Sequence, residues 1–150
     1  MSEDILQLSL LEESCNLSSI KYKQMIAVFA EFLGGFVDNL NSEGKVDSDF
    51  LKYFSQKIEV VNRFIAGGES SDLLLGDRIE IWRRYDLEEN YLKKGLLRAL
   101  VCCFYEEEGG DDEILDSLEL FFSLLRDVDE GGCLRFRIFF ELQIKKVETK

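Results

Sequence analysis

Apolar residues recur at three- and four-residue spacing along much of the chain, the period of one face of an α-helix. Tyr22, Met25, Ile26, Phe29, Phe32, Leu33 and Phe36 follow this spacing, predicting a helix that starts near Ser18. Gly34–Gly35 either ends that helix or thins one that continues to Asn39, before a polar loop over 39–45. Phe50, Phe54, Ile58, Val61 and Ile65, joined by Leu51 and Phe64, predict the cleanest helix, capped by Asp47 or Ser48 and stopped by Gly67–Gly68. Segment 71–85 carries Leu73, Leu74, Leu75, Ile79, Trp82 and Tyr85, but Gly76 interrupts it. Asp86, with Glu89 at capping-box spacing, is expected to open the next helix, whose stripe is Leu92, Leu96, Ala99, Leu100 and Cys103. Asp111 or Asp112 is expected to cap another, with Ile114, Leu118, Phe121, Phe122, Leu125 and Val128 on one face.

The two ends of the chain are less regular. Glu3 to Glu13 has Ser2 as a candidate cap and a blurred stripe of Ile5, Leu6, Leu8, Leu10 and Leu11. Between Cys133 and Val147, Leu134, Phe136, Ile138, Phe140, Leu142 and Ile144 alternate like a strand, whereas Phe136, Phe139, Phe140, Ile144 and Val147 fit a helix. A lone strand would have no partner in a helical chain, so helix is favoured. Four Gly-Gly pairs (34–35, 67–68, 109–110 and 131–132) punctuate the pattern, and glycine readily ends helices. The expected fold is all-α: a single compact bundle of six to seven helices in one domain over 1–150.

Composition narrows the chemistry. The chain is 46% apolar, too much for disorder, and has no run approaching the ~20 apolar residues of a bilayer span. It has no Pro, in keeping with long helices. It has no His, which excludes imidazole bases, Ser-His and Cys-His nucleophiles and His-ligated zinc. Cys15, Cys102, Cys103 and Cys133 lack paired CxxC spacing and read as buried thiols rather than ligands or disulfides. The acidic start Met1-Ser2-Glu3-Asp4 is unlike a secretory signal, so a cytoplasmic protein is expected, or a nuclear one if carried by a partner.

Charge changes the picture more. The formal net charge is −12, and it is uneven. Residues 1–105 hold 17 acids and 12 bases, residues 106–130 hold 11 acids and one base, and residues 131–150 hold two acids and five bases. The imbalance centres on Glu106, Glu107, Glu108, Asp111, Asp112, Glu113, Asp116 and Glu119. Acids at 111–113 suit a helix N-terminus; Glu106 to Glu108 read as the C-terminus of the preceding helix, where acids oppose the dipole. Local rules tend to fail at functional sites, so these eight residues are the candidate partner-binding surface. Arg78, Arg83, Arg84, Lys93, Lys94 and Arg98 form a thinner basic set with Asp77, Glu80, Glu88 and Glu89 interleaved, so direct nucleic-acid binding is not expected.

Residues 39–50 imitate a calcium loop, with Asn39, Asn41, Glu43 and Asp47 at ligand positions around Gly44, but Phe50 stands where a bidentate Glu is needed. The turns 41–46 and 108–113 resemble those of tellurite-resistance helical domains in placement. Neither has the Asp-Gly pair typical of that family, and the chain is not assigned to it. The glycine pairs lack a following Lys-Ser/Thr and are not phosphate loops. The resulting expectation is a non-catalytic inhibitor, immunity or adaptor module without cofactor or metal. It would bind a protein partner with a basic surface, through the acidic segment, an apolar helix groove, or both. An acidic nucleic-acid mimic and a small carboxylate enzyme are the alternatives.

Overall fold

The structure is a computed structural model that describes residues 2–67 and 71–148, with side chains at 71, 73 and 146–148 left aside. Gly68 and the side chains of Leu73 and Val147, which the sequence patterns include, lie outside the described residues. The chain is 81% helix, and no strand occurs among the described residues. Seven α-helices are present there: α1 (Glu3–Ser14), α2 (Tyr22–Ser42), α3 (Ser48–Ile65), α4 (Ser71–Leu87), α5 (Tyr91–Val101), α6 (Glu113–Val128) and α7 (Gly132–Glu148). Short 3-10 turns occupy Leu17–Ser19 and Cys102–Phe104. Packing divides the chain into two compact units, Met1–Val28 with Glu107–Lys150, and Phe29–Glu106.

In the first unit α1 packs on α6 and α7, which also pack on each other. Phe136 is the hub of its core. Its ring meets Phe121 at 4.8 Å, Phe122 at 5.2 Å and Phe140 at 5.8 Å, each edge-to-face, the favoured arrangement of aromatic quadrupoles. Among the described side chains of α7, those of Cys133, Phe136, Phe140 and Ile144 are buried, a helical spacing. Leu134, Ile138 and Leu142, which made the segment resemble a strand, lie exposed on the other side. The Gly131–Gly132 pair is more than a helix stop: Gly132 begins α7, and a Cβ there would lie 3.3 Å from the Leu125 carbonyl oxygen. A bare glycine therefore lets the two helices meet closely. Polar contacts hold α1 to its neighbours: Arg126 pairs with Asp4 at 3.2 Å, Ser14 donates to Glu141 at 2.7 Å, and Arg137 donates to Gln7; within α7, Arg137 also donates to Glu141. Burial raises the Glu141 pKa, but the bonds from Ser14 and Arg137 outweigh it and hold the carboxyl below its usual range.

In the second unit α3 packs on α4 and α4 on α5. Phe50, Phe54 and Val61 are buried as the stripe predicts, and Asp47 caps α3 by accepting from the Phe50 amide at 3.3 Å. Of the two readings of Gly34–Gly35, the continuing helix holds: α2 runs through the pair to Ser42, because Phe32, Leu33, Phe36 and Val37 are all buried and their burial outweighs about 1 kcal/mol per glycine. Two expected starts move. α2 begins at Tyr22 rather than near Ser18, after the 3-10 turn. Asp86 does not open a helix; it lies inside α4. Asn90 caps α5 instead, accepting from the Lys93 amide at 3.0 Å.

Lys57 is the buried charge of this unit. Its ammonium lies 2.6 Å from Asp77 and 3.1 Å from Glu80, joining α3 to α4. Burial lowers its pKa, but hydrogen bonds to both carboxylates prevail and raise it, so the ammonium stays protonated at neutral pH. Asp77→Asn leaves the ammonium with Glu80 alone and is expected to cost about 1–3 kcal/mol in urea unfolding. Unchanged stability would mean that Lys57 is solvated rather than held by Asp77.

Candidate functional site

The local path of the acidic segment follows from the burial of the residues before it. Cys103 and Phe104 are both nearly or fully buried, and the chain tightens from α5 into the Cys102–Phe104 turn that places them. Tyr105 is then extended, with Arg78 4.4 Å from its ring centroid. Glu106, Glu107 and Glu108 therefore lie beyond the end of α5 and of the 3-10 turn. This corrects the expectation that they oppose the dipole of the preceding helix, because that effect fades within the last turn. Their position costs the helix little.

A turn follows. Gly109 has φ +81°, the left-handed region where glycine is favoured. The Glu113 carboxylate accepts from the amides of Glu108 at 2.6 Å and Gly109 at 3.2 Å, and the Glu113 amide donates to the Gly110 carbonyl. Asp112 occupies the cap position of α6, yet its side chain makes no capping bond. The expected cap position at Asp112 holds, but without a side-chain bond, and Glu113 reaches back to stabilise the turn rather than the first amides of the helix.

Glu106, Glu107, Glu108, Asp111, Asp112, Asp116 and Glu119 are exposed, and Glu113 is half-buried. Among the described residues, none of these eight forms an ion pair with Lys or Arg. Arg126, the one base of 106–130, is directed to Asp4 and Asp127. The acids do not converge either: no group of three or more His, Cys, Asp or Glu able to hold a metal occurs among the described residues. The calcium-like turn is committed to other bonds. Asp47 caps α3 and pairs with Lys93 at 2.5 Å, and Asn41 donates to the Val46 carbonyl at 3.0 Å.

The cysteines are free, with Cys103 and Cys133 buried and Cys15 and Cys102 half-buried. Burial pushes Cys102 and Cys133 up to about 11 and Cys103 well above its ordinary value. The Cys133 thiol donates to the Phe122 carbonyl at 3.2 Å. Thiolate chemistry at neutral pH is therefore disfavoured at these three positions. Among the described residues, no helix is long and apolar enough to cross a membrane.

Comparison with protein-family models, with curated proteins and with solved structures gives no match. A bulky disulfide reagent added to the native protein should modify Cys15 first, Cys102 more slowly because its thiol is raised to about 11, and leave Cys103 and Cys133 to react at the rate of unfolding. Rapid modification of Cys102 in a peptide map would contradict the burial of that turn.

Proposed function

We propose that this protein is a non-catalytic interaction module that engages a basic surface of a protein partner through Glu106 to Glu119. The observation that carries the reading is the run of exposed carboxylates without an ion pair among the described residues. Surface charge is ordinarily interspersed by sign, and a field of one sign raises the encounter rate with an oppositely charged partner. The Gly109 turn, held by Glu113, presents these carboxylates on a defined backbone, which reduces the ordering cost of binding. Leu134, Ile138 and Leu142 on the outer face of α7, in the unit that holds 107–119, offer apolar surface of the kind partner helices use. An inhibitor, immunity or adaptor role fits this reading. The four free thiols favour a reducing compartment, the cytoplasm, or the nucleus when the partner is imported.

The test is the Glu106→Gln, Glu107→Gln, Glu108→Gln triple variant. All three side chains are exposed and beyond α5, so stability should stay within about 0.5 kcal/mol of the parent. Association with the natural partner, recovered from the native source, should slow by about tenfold at low salt, and the difference should shrink as salt rises. An unchanged association rate at low salt would leave these acids as a solvated turn only.

A further inference from the structure

The basic residues of α4 and α5 are arranged in a way their order along the chain conceals. Asp77 and Glu80, the acids interleaved with them, turn to Lys57 on α3. Arg78, Trp82 and Tyr85 follow at four and three residues, one side of α4. Each meets a complementary group from α5 or the turn after it. The Arg78 guanidinium lies 4.4 Å from the Tyr105 ring centroid, that of Arg98 lies 4.9 Å from Trp82, and the Lys94 ammonium lies 3.8 Å from Tyr85. The result is a ladder of three rungs, each one cation against one aromatic ring, within a single compact unit.

All three cations are half-buried, and among the described residues none pairs with a carboxylate. Arg78 donates to the Phe104 carbonyl at 3.2 Å and Lys94 to the Tyr85 carbonyl at 2.7 Å. These neutral acceptors orient the side chains without cancelling their charge. Arg84 also lies over a ring, that of Tyr53 on α3 at 3.9 Å; what sets the other three apart is that they follow one another along the α4–α5 contact. The rings hold them ordered in advance, which lowers the entropic cost of accepting an anion.

We infer that this α4–α5 ladder is a docking strip for a short acidic peptide segment of a partner protein. Rungs four and three residues apart on a helix are spaced by about 6 and 4.5 Å. Side chains on one side of an extended peptide recur at about 6.6 Å, close enough for two or three carboxylates to reach successive rungs. The length of the strip decides against a longer polyanion. It ends at Tyr105, and the next residue of the same unit is the exposed Glu106, so a nucleic-acid strand charged at every nucleotide would run onto an acid. This surface carries the opposite sign to the acidic segment.

Trp82 is the only tryptophan, so its emission reads the central rung directly. The probe is a synthetic peptide of alternating Glu and Ser, with a Gln-Ser peptide as control, titrated into the full chain at about 20 mM salt. Saturable binding with a change in Trp82 emission is expected for the Glu peptide and not for the Gln peptide. Arg98→Gln and Lys94→Gln should each weaken it by about tenfold. Arg83→Gln, at an exposed position outside the ladder, should bind as the parent does. Lys94→Gln leaves the Trp82–Arg98 contact in place and decides the matter where Arg98→Gln does not fold. Absence of binding, equal binding by the folded ladder variants, or tighter binding of an oligo-thymidine than of the Glu peptide would overturn the inference.

Discussion

Like-charge repulsion is the constraint on which the rest of this protein depends. With 30 acids against 18 bases, a helical chain must bury a Phe and Leu core and still keep its carboxylates solvated and apart. Two arrangements meet this demand. Where a carboxylate lies close to the core it is paired, as Asp77 and Glu80 are with Lys57, and Glu141 with Arg137 and Ser14. Where carboxylates are densest, between Glu106 and Glu119, they are left to water. Backbone turns and the single inward-reaching Glu113 hold that segment, so its order does not rest on neutralising its charge.

The functional reading follows from this division. An acid that pairs at home supports the fold, and an exposed acid without a base is free to meet a partner. The cations divide in the same way. Lys57, Lys93 and Arg126 pair with carboxylates, while Arg78, Arg84, Lys94 and Arg98 lie over aromatic rings with no carboxylate partner among the described residues. Among the described residues, the acids of the 106–119 segment and the cations along the α4–α5 contact are thus both left without an ion pair.

Most of the helices were legible because their apolar stripes and the buried core coincide. The α3 and α6 patterns needed no tertiary information: Phe50, Phe54, Val61, Leu118, Phe121, Phe122 and Leu125 are all buried. Boundaries failed where burial competed with local signals. Asp86 was carried into α4 while Asn90 took the cap, and the choice left open at Gly34–Gly35 fell to the apolar residues on both sides. The acidic segment was visible as a count of charges, but its relation to α5 was not, because the tightening at Cys102–Phe104 depends on burying Cys103 and Phe104 together. The cation–aromatic ladder was hidden for a geometric reason. Acids and bases adjacent in sequence point to different sides of α4, and only the 78, 82, 85 spacing set against 94 and 98 hints at it.

The salt dependence of folding stability tests the central claim most directly, since it reads whether net repulsion or net attraction governs the charges of this chain. Screening weakens exposed interactions of both signs, so the sign of the change reports which prevails. If the acids of 106–119 are uncompensated, the urea midpoint should rise between about 20 mM and about 500 mM sodium chloride, and the rise should be smaller when Glu106, Glu107 and Glu108 are Gln. A midpoint that falls with salt would mean that ion pairs hold the fold together, and would contradict the dominance of like-charge repulsion.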